Sequence, residues 1–157
     1  MNSMTEPLVA IGLAEAERAA VVTFYRAIGE GRPDLLDDAV TVDWQDIPLA
    51  PRQAPGREGI KPLIAGVAAA FCDLRITIHE IIGVLGRAAV RGEMTGTHAG
   101  TWLGVSPTGR TFRVTIHEFH AIENGRLTHT WHLEDWFGWL NQAGAWPAAL
   151  PAASEAA

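Results

Sequence analysis

Residues 129–145, HTWHLEDWFGWLNQAGA, place three tryptophans and two histidines around the adjacent carboxylates Glu134 and Asp135. Asp135 closes a run that alternates like a strand and opens a run with helical spacing. A carboxylate there can do two things. It can cap the helix, accepting from backbone N–H groups that have no partner in the first turn. It can also point into an apolar pocket, where desolvation brings a carboxyl group toward neutral pH and makes it an acid or base. Spacing alone leaves both roles open. A second cluster, His117-Glu118-Phe119-His120, raises the question of a metal. Two histidines on one helical face stand four apart, whereas these stand three apart on an alternating run and so face opposite sides. No metal site is expected. The single Cys72 excludes a cysteine-based zinc site and an internal disulfide framework. The chain contains no phosphate loop, dinucleotide fingerprint or G-x-S-x-G elbow.

The elements that must position these residues follow from periodicity. From Ala14 to about Ile28, Val21, Phe24, Tyr25 and Ile28 recur at helical spacing, and Arg32-Pro33-Asp34 ends the run. VTVDWQD alternates as a strand and is followed by the proline-rich loop IPLAPRQAPG. REGIKPLIAGVAAAF sets Ile60, Leu63, Ile64, Val67 and Phe71 on one helical face, where Pro62 is tolerable if it lies in the first turn. After Asp73 the period becomes two. LRITIHEI, AAVRGEMTGTH, RTFRVTIHEFHAI and RLTHTWHL predict four strands, with a turn at VSPTGR and a hairpin at Asn124-Gly125. On the third, Arg113, Thr115, His117 and Phe119 share one side, and Phe112, Val114, Ile116, Glu118 and His120 the other. On the fourth, Leu127, His129, Trp131 and Leu133 share a side, opposite His132. A last helix from about Glu134 to Gln142 carries Trp136, Trp139, Leu140 and Ala143 as its apolar stripe, with Gly144 as its stop. Helices first, then a meander of long strands, then one short helix predict an α+β fold.

Composition narrows the class. The chain has 157 residues, 12 basic against 18 acidic, for a net charge of −6. One domain over residues 1–147 is expected, with an Ala- and Pro-rich loose tail over 148–157. No basic cluster invites nucleic acid. No apolar run is long enough to span a membrane, and the N-terminal stretch is a poor signal peptide, so a cytoplasmic protein is expected. Six tryptophans, with Trp44, Trp102 and Trp131 outside the helical stripes, hint at an aromatic pocket.

Three stretches resemble the SnoaL-like polyketide cyclase family, also called ester cyclases: GREGIKPLIAGVAAAFCDLRI, VRGEMTGTHAGTWLGVSPTGRTF and NGRLTHTWHLEDWFGWLNQAGA, which together span Gly56 to Ala145. The resemblance implies the cone-shaped fold of the nuclear transport factor two-like superfamily, a highly curved, mostly antiparallel sheet wrapped around helices with one internal pocket. It also implies that Asp135, at the position opening the last helix, is the acid/base. A histidine on the preceding long strand assists in that family; His117 is the candidate here, with His120 as the alternative if the alignment slips.

The expected activity is cofactor-independent acid/base chemistry next to a carbonyl, an intramolecular aldol closure on a small hydrophobic or aromatic substrate. Asp135 would take the α-proton, and His117 or His98 would hydrogen-bond the oxyanion. Trp102, Trp131 and Trp136 would form an apolar surround, and Tyr25, Trp44 and Phe119 would line the pocket. A hydrolase reading on the same fold asks for Arg91 or Arg113 bridging Asp135 to Asp43, Asp46 or Glu93. A third reading is a binding domain without turnover. Strands with apolar residues on both faces predict a homodimer.

Overall fold

The computed structural model describes residues 10–84 and 86–146, and the proposed tail from residue 148 lies outside them. The chain order is β1 (Ala10–Ile11), α1 (Glu15–Gly29), a 3₁₀ turn (Pro33–Leu35), α2 (Leu36–Ala39), β2 (Val40–Ile47), α3 (Arg57–Ala70), β3 (Phe71–Val84), β4 (Arg87–His98), β5 (Thr111–Glu123), β6 (Arg126–Glu134) and α4 (Trp136–Ala143). One six-stranded sheet runs β1-β3-β4-β5-β6-β2. The meander β3 to β6 is antiparallel, with a tight hairpin between β5 and β6 and a longer connection over residues 99–110 between β4 and β5, and β1 and β2 add at its edges in parallel. Asn124 and Gly125 both take positive φ, which matches the hairpin to the right-handed twist of β5 and β6.

Helices α1 and α3 cover the inner face of the sheet. Val21, Phe24 and Tyr25 of α1 and Ile60, Ile64 and Val67 of α3 are buried with Ile76, Ile78, Met94, Val114 and Ile116 of the strands. At the end away from α3's start, Trp139 packs edge to face on Phe71 and His98, and Phe112 packs tilted on Phe71, so α4 closes that end of the sheet. Gly144 in the left-handed conformation stops α4 as its spacing predicts.

The first-turn condition on Pro62 is not met, and one strand facing is corrected. Helix α3 begins at Arg57, so Pro62 lies in its interior rather than its first turn. The bond that Pro62 cannot donate would have gone to the carbonyl of Glu58, an exposed residue. On β6, Leu127 does not share a side with His129, Trp131 and Leu133. Between Ala121 and Ile122 the β5–β6 register shifts: Ala121 pairs with His129 and Ile122 with Leu127. Thr128 is thus one extra residue on β6, and it reverses the alternation. Leu127 points inward before it; Thr130 and His132 point inward after it.

Candidate active site

The inner face of the sheet and helices α1 and α3 enclose a cavity of about 520 Å³. Ile28, Ile60, Leu63, Ile64, Val67, Ile76, Met94 and Ile116 make most of its wall apolar, with Phe24, Trp102 and Trp136 as aromatic panels. Tyr25, Asp46, Glu118, Thr130, His132 and Glu134 converge at one end. An apolar cavity with a few convergent polar groups is the usual form of a small-molecule site. A second, open depression of about 370 Å³ beside Glu30, Cys72, Asp73 and Arg75 lacks both features.

Alternation delivers the polar end. Glu118 is an inward residue of β5 and its Cα partner on β6 is His132. Asp46 lies two residues beyond the inward-facing, fully buried Trp44 of β2, so it shares that face. Glu118 is buried. Its Oε2 accepts from the Tyr25 hydroxyl at 2.8 Å, while Oε1 has no hydrogen-bond partner among the described residues. Burial, with the negative charge of Glu134 added, pushes the Glu118 carboxyl up to about 8.

His132 answers in the opposite sense. Its Nδ1 stands 3.1 Å from Glu134 Oε1 and its Nε2 donates to the Pro48 carbonyl at 2.8 Å, with Asp46 Oδ1 at 3.4 Å. Burial opposes a charge on this ring, but Glu134, Asp46 and the Pro48 carbonyl together outweigh it and push His132 up to about 9. It is therefore an imidazolium at neutral pH. The carboxyl of Asp46 is also pushed upward, chiefly by burial, against the Gln53 amide that donates to it at 2.7 Å.

Behind Glu118 runs a buried polar chain. The Tyr25 hydroxyl is 2.9 Å from His120 Nε2, His120 Nδ1 is 2.9 Å from Thr130 Oγ1, and Trp44 Nε1 donates to Thr130 Oγ1 at 3.0 Å. Burial holds His120 down to about 3, so this ring is neutral, and it pushes the Tyr25 phenol well above its usual range, so the hydroxyl keeps its proton.

Of the residues expected from sequence, Tyr25, Trp102 and Trp136 line the cavity. Trp44 is wholly buried one layer behind the cavity wall, against Phe24. His98 is also buried outside the cavity, held by Thr108 at 3.0 Å and packed on Trp139. His117, Phe119 and Trp131 stand on the outer face of the sheet, because they occupy the other phase of β5 and β6. Asp135 does not reach the cavity either. It is exposed, and its Oδ1 accepts from the Gly138 N–H at 2.8 Å, so it caps α4. Arg91 and Arg113 bind Glu80 and Glu93 through exposed side chains, so among the described residues no arginine bridges carboxylates in the cavity. Among the described residues, no group of three His, Cys, Asp or Glu side chains is placed to hold a metal ion. None of the described helices is long and apolar enough to cross a membrane.

Sequence reasoning does not single out Glu118, His132 and Glu134, which the structure places in the cavity. A signal existed for the first: Glu118 falls in the apolar phase Phe112, Val114, Ile116, where a charged residue must either be paired or perturbed.

The sequence profile of SnoaL-like polyketide cyclases matches residues 19–143. The chain belongs to this family. Among solved structures, TsrD from Streptomyces laurentii is 28% identical with a TM-score of 0.78, over 85% of this chain and 98% of its own. IdmH from Streptomyces antibioticus is 26% identical with a TM-score of 0.70, over 82% and 98%. A Bacillus cereus ATCC 10987 protein, 21% identical with a TM-score of 0.79 over 92% and 96%, shows the fold alone. Among curated proteins, none matches the sequence. The α+β cone of the nuclear transport factor two-like superfamily is the fold of this SnoaL-like chain.

Proposed function

We propose that this SnoaL-like protein is a cofactor-independent enzyme that moves a proton next to a carbonyl and closes a ring by intramolecular aldol addition. The observation that carries this reading is Glu118: a carboxyl group with one free oxygen, set in the wall of an apolar cavity and brought to about 8. A base with that affinity is matched to work near neutral pH.

In the proposed reaction, ionised Glu118 removes an α-proton on Oε1. The C–H bond's electrons pass into an enolate, whose carbon attacks a second carbonyl and forms the C–C bond. The resulting alkoxide recovers the proton from Glu118. The imidazolium of His132, on the neighbouring strand, supplies positive charge toward the enolate. Proton transfer of this type supplies about 10² to 10⁴-fold, and fixing both carbonyls in one cavity supplies the remainder. Among the described residues the cavity wall contains no Lys or Arg, which favours an uncharged, hydrophobic or aromatic substrate.

The test is α-deuterium exchange of a neutral aromatic ketone, 1-tetralone as a first probe, in heavy water. Wild type is expected to accelerate exchange and Glu118→Gln to abolish the acceleration. Equal exchange by both proteins would overturn the assignment of Glu118.

We further propose a homodimer through the outer face of the sheet. Register places Ile82, Ala89, Phe119, Trp131 and Ile47 in one row across five strands. Phe119 is 61% exposed and Trp131 39%, which is apolar surface a partner copy would cover.

A further inference from the structure

The buried chain behind Glu118 has a direction, and that direction follows from counting protons. Trp44 Nε1 can only donate, so Thr130 Oγ1 accepts from it. The neutral His120 ring has one N–H to place. If that proton is on Nε2, every donor finds an acceptor: the Thr130 hydroxyl donates to Nδ1, Nε2–H donates to the Tyr25 oxygen, and the Tyr25 hydroxyl donates to Glu118 Oε2. If it is on Nδ1, Thr130 Oγ1 must accept twice and its own proton has no partner in a wholly buried site. Glu118 would then have to carry its proton on Oε2, turned toward Tyr25 and away from the cavity. The interior penalises the unpaired hydroxyl of this second arrangement.

We infer that His120, in its Nε2–H form, is a positioning residue that directs the chain Trp44, Thr130, His120, Tyr25 onto Glu118 Oε2, and so reserves Oε1, the oxygen with no partner among the described residues, for the travelling proton. This rests on the assignment of Glu118 as the acid/base. His120 touches no reacting atom; Tyr25 and Glu118 stand between it and the cavity. The chain keeps one direction through the catalytic cycle, because loading and unloading Oε1 asks nothing of the bonds behind Oε2. A Glu118 without this constraint would distribute its proton over both oxygens and lose the reactive orientation.

The first test needs no substrate. Long-range ¹H–¹⁵N correlation of the His120 ring in the wild-type protein is expected to show an N–H at Nε2 and a bare, hydrogen-bonded Nδ1 at every pH from 5 to 8. An Nδ1–H ring would overturn the inference. The second test reads Glu118 by carboxyl-carbon NMR titration. Its surroundings include Tyr25 from α1, Asp46 from β2, His120 on its own strand, and His132 and Glu134 from β6, and these are unchanged in Thr130→Val and Thr130→Ser. Thr130→Val frees His120 to take its proton on Nδ1 and withdraws the Tyr25 donor, so the Glu118 midpoint is expected to move upward by about half a pH unit or more. Thr130→Ser keeps the hydroxyl and is expected to restore the wild-type midpoint. An unmoved midpoint in Thr130→Val would also overturn the inference. If Glu118→Gln retained full exchange activity while His120 still showed Nε2–H, the functional assignment would fail and the direction of the chain would stand.

Discussion

Strands β5 and β6 present histidines and aromatic residues on both faces, and the two faces put them to different uses. On the inner face, Glu118, His120, Thr130 and His132 are enclosed; burial shifts Glu118 and His120 far from their ordinary behaviour, and acidic neighbours shift His132 against its burial. On the outer face, His117, Phe119, His129 and Trp131 meet solvent, and His129 stacks flat on Trp131 at 5.5 Å. The residue types are alike. What separates them is the phase of the strand, which decides whether a ring or carboxyl is desolvated and held by fixed partners. Aromatic and histidine content is therefore a poor guide to chemistry until the face is known.

The comparison is broken most directly by exchanging one residue on each face. Glu118→Gln is expected to lower turnover by about 10² to 10⁴-fold, and the outer-face His117→Gln to leave it within about twofold, both measured as kcat/KM on the same carbonyl probe. Next in size is assembly. Phe119→Asp puts a charge in the outer apolar row and is expected to give a monomer by size-exclusion chromatography at micromolar concentration, with the Glu118 titration unchanged.

The inner face also predicts a pH dependence. Folded Glu118 and His132 hold protons more tightly than the unfolded chain, so the stability they contribute is present at low pH and is lost as pH rises, from about 4.5 to about 8 for Glu118 and from about 6.5 to about 9 for His132. Asp46 acts in the same direction. His120 acts oppositely: its contribution is present above about 6.5 and is lost as pH falls toward about 3. The Tm is expected to fall between pH 6.5 and 9, and Glu118→Gln to flatten the part below pH 8. Activity is expected to rise as Glu118 ionises near 8 and to fall as His132 loses its proton near 9. The smallest effect belongs to the outside. Asp135→Ala removes the α4 cap and is expected to cost about 0.5–2 kcal/mol in denaturant unfolding, with kcat/KM retained.

Much of the fold was legible because its signals are local. Val21, Phe24 and Tyr25 mark α1 by spacing, Asn124-Gly125 marks its hairpin, and the change of period after α3 marks the sheet. The α+β class and the cavity residues Tyr25, Trp102 and Trp136 followed. The polar end was less legible because its residues earn their chemistry from distant neighbours. His132 is an imidazolium only because Pro48, Asp46 and Glu134 surround it, and Pro48 is 84 positions away in the chain. Asp135 misled for the converse reason: a carboxylate at a helix start among tryptophans satisfies the local pattern of both a cap and a base, and only the course of β6 decides which way it points.

That course depends on Thr128. The extra residue reverses the alternation of β6, so Thr130 and His132 face the cavity and Trp131 faces away. In the language of insertions and deletions, one codon separates this site from its inverse. Removing Thr128 would bring His129, Trp131 and Leu133 to the inner wall and expel His132 and the Thr130 hydroxyl to the surface. Point substitutions along β6 would be read one at a time by the cavity, whereas a single-residue deletion would rewrite the β6 side of the wall at once.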